Sequence, residues 1–115
     1  MHAPFDLVDI DAGRRLHVSV EGPENAPWVV FDHGAFGSCI DGWWVKEALK
    51  ADHRIVLYDR AGMGWSDPAP QGMPLTPEFH IADLRRLLAA LGARPPYVLV
   101  GHSMAGLRLH AFANL

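Results

Sequence analysis

From Phe5 to Glu21 apolar and polar positions alternate, most clearly where Leu16, Val18 and Val20 are separated by His17 and Ser19. A period of two puts every second side chain on one face of an extended chain, so this segment predicts a half-exposed antiparallel hairpin turning at Ala12-Gly13. The next extended segments lose the alternation. Trp28-Val29-Val30-Phe31, Ile55-Val56-Leu57-Tyr58 and Tyr97-Val98-Leu99-Val100 are unbroken apolar runs, the pattern of parallel strands covered on both faces, and each leads into a glycine-containing turn.

Helical periodicity fills the gaps. Thr76-Pro77-Glu78 offers an N-cap hydroxyl, a proline at the first helical position and an acid in the first turn. Ile81, Leu84, Leu88 and Leu91 then form one apolar stripe, and Gly92 stands where a left-handed C-cap belongs. A shorter helix is expected over about Asp41 to Lys50 with Trp44, Val45, Ala48 and Leu49 facing inward, and a third from just after Ser103 to the end of the chain. Strands alternating with helices predict an α/β fold: a mostly parallel sheet with an N-terminal antiparallel hairpin, right-handed crossovers and helices on both faces.

Composition narrows the functional classes. The 115 residues are half hydrophobic and one-fifth charged with a net charge of −3, which fits a packed core and excludes a disordered tail. Ten Lys and Arg against thirteen Asp and Glu leave no basic excess for a phosphate backbone, so no nucleic-acid partner is expected. The single cysteine, Cys39, excludes a disulfide scaffold and reads as a small loop residue. Met1 to Asp6 lacks the basic and apolar regions of a signal peptide, and no apolar run is long enough to cross a bilayer, so a soluble, cytoplasmic protein without a membrane partner is expected. No repeat interrupts the chain; Asp67 to Pro77, with four of the nine prolines, reads as a surface loop.

The strongest chemical signal follows the third apolar run: Gly101-His102-Ser103-Met104-Ala105-Gly106, then a helical pattern. A serine at a sharp strand-to-helix turn is held in strained backbone that lifts its hydroxyl clear of the sheet, and only small residues fit two positions before and after it. Gly101 and Ala105 meet that limit, although the usual pattern has glycine at the second position; Gly106 beside it is expected to relieve crowding. The first amides of the following helix, that of Met104 foremost, would stabilise an oxyanion beside Ser103. His102 is read as packed beneath this turn. Small-Ser-small turns are also ordinary punctuation between strands and helices, so the placement between a buried strand and a helix carries the weight.

Two further segments support it. After the first apolar run comes His33-Gly34-Ala35-Phe36-Gly37-Ser38, a loop able to bring a second amide, Ala35 first and Phe36 next, beside that of Met104, with His33 holding the loop by hydrogen bonds. After the second run comes Asp59-Arg60-Ala61-Gly62-Met63-Gly64-Trp65-Ser66-Asp67. Its two glycines do not complete a dinucleotide fingerprint, since Asp67 occupies the place of the third, and Asp59 and Arg60 are expected to pair within the loop. Phe36 and Trp65 are assigned to the substrate pocket, with Trp43 and Trp44 as core or pocket lining. The histidines are scattered without metal-ligand spacing, so neither a metal nor another cofactor is expected.

Together, the His33-Gly34 loop, the Asp59 to Ser66 loop and the Gly101-His102-Ser103-Met104-Ala105 turn resemble the N-terminal half of the α/β-hydrolase fold superfamily. The resemblance implies that residues 1–115 are the N-terminal portion of a single domain, ending after the helix that follows the nucleophile. It assigns Ser103 as nucleophile and Met104 and Ala35 as oxyanion donors, with His33, Gly34, Gly101, His102 and Ala105 supporting them. The implied reaction is cleavage of an ester or similar small acyl substrate through an acyl-enzyme, though acyltransferases, peroxidases, C–C hydrolases and lyases share the fold. The acid and histidine come after the nucleophile in such enzymes, and no position here corresponds to them, so the 115 residues alone are expected to be inactive. The alternative is a non-catalytic half-domain or pseudoenzyme that binds a partner, or a second copy of itself, through an open sheet edge.

Overall fold

The computed structural model describes residues 5–103 and 105–114. The hairpin forms as β1 (Asp6–Asp11) and β2 (Arg14–Glu21), paired antiparallel about a turn in which Ala12 and Gly13 both take positive φ. The apolar runs become β3 (Trp28–Asp32), β4 (Arg54–Tyr58) and β5 (Tyr97–Gly101). The helices are α1 (Trp43–Leu49), α2 (Pro77–Ala90) and α3 (Ala105–Asn114), with a short 3-10 helix, Cys39–Gly42, leading into α1.

One five-stranded sheet runs in the order β1-β2-β4-β3-β5. β3 pairs parallel with both β4 and β5, while β2 pairs antiparallel with β1 and β4. The sheet is therefore mixed rather than mostly parallel: the hairpin docks through its second strand onto β4, which makes half of the pairings antiparallel.

Helices cover both faces, and the alternation within each buried strand decides which residue meets which helix. Val30, Val56 and Tyr58 point with Leu16 and Val18 toward Leu84, Leu87 and Leu88 of α2 and Leu109 of α3. Val29, Phe31, Ile55 and Leu57 point the other way, toward Cys39, Val45 and Leu49. Each fully buried leucine contributes ~2–3 kcal/mol of transfer free energy, so the three leucines of α2 anchor that layer. The helix starts as its sequence predicts: the Thr76 hydroxyl accepts from the Phe79 amide at 3.2 Å, and Gly92 takes φ 70° just past its end. Arg14 clamps it to the hairpin through a bidentate pair with Asp83 at 2.5 and 2.8 Å.

Two expectations change on this side of the molecule. In α1, Val45 and Leu49 pack inward, but Trp44 is 82% exposed and Ala48 is exposed as well. Lys46 is buried instead, its ammonium over the Trp43 ring at 3.1 Å and 3.4 Å from Glu21, so a cation–π contact and an ion pair replace an apolar contact. β5 lies at the sheet edge, where Val98 remains 52% exposed, so the helices do not cover both faces along its whole length. Among the described residues no helix is long and apolar enough to cross a membrane.

Candidate active site

The order β4-β3-β5 sets three parallel strands side by side, so the loops that leave their C-terminal ends emerge together at one edge of the sheet. Asp32 pairs with Gly101, which brings Gly34 and Ser103, each two residues further on, to the same level. A Cβ on Gly34 would stand 3.0 Å from His102 Nδ1 and 3.6 Å from the Ser103 Cβ, so the absence of a side chain lets the two loops lie against each other.

Ser103 is exposed and has φ 58°, a left-handed conformation that non-glycine residues rarely hold. The tight turn is closed by the Ala105 amide donating to His102 O at 3.1 Å and the Gly106 amide to Ser103 O at 3.0 Å. Gly101 satisfies a real size limit, since a Cβ there would fall 2.9 Å from Leu109 and 3.0 Å from the backbone of Ala105. Ala105 is fully buried and accommodated. Gly106 relieves nothing: a Cβ at that position would meet open space. Met104 lies outside the described residues.

Ser103 shares a cleft of about 530 Å³ with Gly34, Ala35, Phe36, Asp41 and His102. Ala35 and Phe36 are exposed, and neither of their amides donates to a protein acceptor among the described residues. A neighbouring cleft of about 400 Å³ adds Phe31, Ile40 and Trp44 and shares Asp41 and His102 with the first. His102 is thus exposed at the junction of two clefts rather than packed beneath the turn, its ring lying against Gly34. Trp65 is exposed but lines a third cavity with His17, Cys39 and Asp59, and the structure does not bring it to the cleft of Ser103.

The loops are held from below by buried polar groups. His33 is fully buried; its Nδ1–H donates to Gly34 O at 2.8 Å and its Nε2 accepts the Arg60 amide at 3.3 Å, which fixes one neutral tautomer. Burial lowers its pKa, and Arg60 nearby lowers it further. Arg60 donates to Asp32 at 2.6 Å, to Gly34 O at 2.9 Å and to His33 O. Asp32 also accepts from Arg108 of α3 at 2.8 Å. One carboxylate, 1% exposed, therefore joins the end of β3, the loop after β4 and the helix behind the serine.

The expected pairing of Asp59 with Arg60 does not form, because successive side chains diverge at the strand end and each finds other partners. Asp59 accepts the Cys39 amide at 2.6 Å, the Trp65 amide at 3.1 Å and His17 Nδ1–H at 2.9 Å. Burial would raise the Asp59 pKa, but these donors outweigh it and the carboxyl sits below its ordinary range. Burial and the Asp59 charge push the Cys39 thiol up to about 12. His17, Cys39 and Asp59 thus form a cluster whose ligand atoms all lie within 4.8 Å, which the scatter of histidines along the chain conceals. The Asp32–Arg108 link is not expected from the sequence. Its only trace was a carboxylate closing an apolar strand run and an unmatched arginine one turn into the last helix.

Residues 27–114 match the family model described as alpha/beta hydrolase fold. The chain is 34% identical over 119 aligned residues to a protein named probable transporter efuK of Hormonema carpetanum, spanning 99% of this chain and 17% of that protein. It is 42% identical over 57 residues to 3-oxoadipate enol-lactonase 1 of Acinetobacter baylyi, spanning 48% and 21%. Among solved structures, an epoxide hydrolase of the alpha/beta hydrolases superfamily from hot-environment metagenomes superposes with a TM-score of 0.87 at 26% identity, over 98% of this chain and 38% of that one. The chain spans well under half the length of each of these relatives. With the family model matched over more than three-quarters of its length, the chain belongs to the alpha/beta hydrolase fold family.

Proposed function

We propose that this chain carries the nucleophile-bearing part of a serine hydrolase acting on small esters or similar acyl compounds. The observation that carries the reading is Ser103 itself: an exposed hydroxyl in left-handed backbone between β5 and α3, facing a cleft it shares with Ala35 and Phe36. Strain of this kind persists only where the surrounding contacts enforce it, and it clusters at reactive positions. In the proposed reaction the Ser103 oxygen attacks the acyl carbon and a base takes its proton. The resulting oxyanion is held by the Ala35 amide together with that of Met104. The intermediate then collapses to an acyl-enzyme with loss of the alcohol, and water releases the acid. Similarity to an enol-lactonase agrees with acyl chemistry, and the wide, partly apolar clefts suit a small ester.

The same reading assigns the acid and the base to sequence beyond Leu115, in keeping with the 17–38% of its relatives' lengths that the chain spans. A fluorophosphonate probe tests it on the chain extended through its downstream coding sequence. Labelling of Ser103 that disappears in Ser103→Ala supports it, and an extended protein that resists the probe refutes it. The exposed Val98 on edge strand β5 favours a second reading, a half-domain that associates through that edge. Sedimentation of the 115-residue chain distinguishes the two: a concentration-dependent dimer abolished by Val98→Lys, with no labelling of the extended protein, selects the second.

A further inference from the structure

We propose that His17, Cys39 and Asp59 form a binding site for a divalent transition-metal ion of the zinc type. The three residues come from β2, the 3-10 helix and the loop after β4, and none is used by the chemistry proposed for Ser103. His17 Nδ1 lies 2.9 Å from Asp59 Oδ2 and 3.9 Å from Cys39 Sγ. Tetrahedral zinc, with bonds of ~2.3 Å to sulfur and ~2.0–2.1 Å to nitrogen and oxygen, sets its ligands ~3.3–3.6 Å apart. These two separations bracket that spacing, one opening and the other closing by ~0.4 Å, and with all three ligand atoms within 4.8 Å of one another the Cys39 sulfur moves toward Asp59 by up to ~1.2 Å to complete the set.

The chemistry of the donor set selects the ion. A thiolate with an imidazole favours zinc and its neighbours and disfavours magnesium and calcium, which take oxygen ligands. Binding expels one proton, that of the Cys39 thiol, while the His17 ring keeps its proton by moving it from Nδ1 to Nε2. Thiolate and carboxylate then balance the two positive charges. The surroundings are already ordered for the role. The Cys39 amide holds Asp59 Oδ1 and the Trp65 amide holds Oδ2, fixing the carboxylate, and the Phe5 ring stacks on His17 at 5.0 Å and 14°. Orienting contacts of this kind are what tune a ligand set. A cavity of about 300 Å³ opens onto all three side chains and leaves room for a solvent or small anionic fourth ligand. Because the ligands join three separate segments, the ion would pin the hairpin and the Asp59 to Ser66 loop to the 3-10 helix.

Cobalt(II) is the probe, since Cys39 is the sole cysteine and any thiolate-to-metal charge-transfer band must report this site. Untagged, chelator-treated protein titrated with cobalt(II) should develop a near-ultraviolet charge-transfer band and tetrahedral visible bands saturating at one equivalent, both abolished by added zinc(II). Cys39→Ser should lose the charge-transfer band, and His17→Gln should weaken cobalt binding by ~tenfold or more. Zinc(II) should also slow alkylation of Cys39 in the wild-type protein, a readout that needs no variant to fold. Absence of the band in wild-type protein, or its persistence in Cys39→Ser, overturns the proposal. Neither result depends on whether Ser103 is a nucleophile.

Discussion

Replacing Asp32 with asparagine keeps its size and shape but removes the one negative charge between two guanidinium groups. Arg60, 5% exposed, and Arg108, 14% exposed, meet the buried Asp32 carboxylate at 2.6 and 2.8 Å. Breaking a buried pair by neutralising one partner costs ~3–5 kcal/mol, because the remaining charge keeps its desolvation penalty without its partner. Here two cations are left, although Arg60 retains the carbonyls of His33 and Gly34. Such a loss is a large share of the ~5–15 kcal/mol by which domains are usually stable. With a urea slope of ~1.5 kcal/mol per molar, the unfolding midpoint of Asp32→Asn should fall by ~2–3 M. Arg108→Met is the control. It leaves Asp32 paired with Arg60 and removes the charged hydrogen bond to Asp32 together with a longer one, 3.4 Å, to His33 O, for ~1.5–3 kcal/mol. Equilibrium urea unfolding followed by tryptophan fluorescence measures both. If Asp32→Asn costs less than ~1 kcal/mol, or no more than Arg108→Met, the carboxylate is not the hub that the geometry implies.

Three further outcomes follow from the same structure. Ser103→Gly should raise stability by ~0.5–1 kcal/mol by releasing φ 58°, whereas Ser103→Ala, which keeps the Cβ, should not; equal midpoints for the two would remove the strain argument. Gly64→Ala should cost ~2–3 kcal/mol, because φ is 51° and the new Cβ would fall 2.1 Å from the Asp59 carboxylate; a thermal scan showing a wild-type midpoint would contradict the packing. His80 has its pKa lowered from 6.5 to about 4 by burial, with Arg108 and Arg60 adding to the effect. Its imidazole takes up a proton near 6.5 when unfolded and only near 4 when folded, so its contribution is complete above pH 6.5 and is lost as pH falls toward 4, by ~1–2 kcal/mol once solvent screening of the partly exposed ring is counted. His33 is shifted in the same direction, so His80→Phe should flatten that decline without abolishing it, and urea midpoints between pH 7 and 4 that decline as steeply in the variant as in wild type would rule His80 out.

Regular structure was legible because its causes are local. The alternation around Val18, the apolar runs and the Thr76-Pro77 start with Gly92 at the end are short-range patterns, and each became the element it predicts. The mixed sheet was not legible, because pairing β2 with β4 joins segments that share no local signal. Trp44 was placed inside by its helical period, yet the face it occupies borders a cleft, and Lys46 found a partner in Glu21, far away in sequence. In the candidate site the same division holds. The size limit at Gly101 and the hydrogen-bonding role of His33 could be read from neighbouring residues, whereas the partners of Asp59 and Arg60 depend on which loops meet above β3.

Those partners also explain how irregular loops hold a strained serine. Among the described residues a backbone bond ties the loop after β5 to the end of β3, the His102 amide donating to Asp32 O at 3.2 Å, but side chains carry most of what holds one loop to the next. They do so through two buried carboxylates set at neighbouring strand ends, Asp32 on β3 and Asp59 just after β4. Asp32 gathers arginines from the loop after β4 and from α3, behind the serine. Asp59 gathers amides from the 3-10 helix and from Trp65, away from the serine. The two are linked because Arg60, adjacent to Asp59, is the residue that reaches Asp32. Each carboxylate is fully engaged, so a displacement of any one loop would leave a buried charge or donor unpaired, at a cost of ~1–3 kcal/mol for each lost partner. That penalty is comparable to the strain of a left-handed serine, ~1–3 kcal/mol, which is why Ser103 can be held in a conformation its own backbone disfavours.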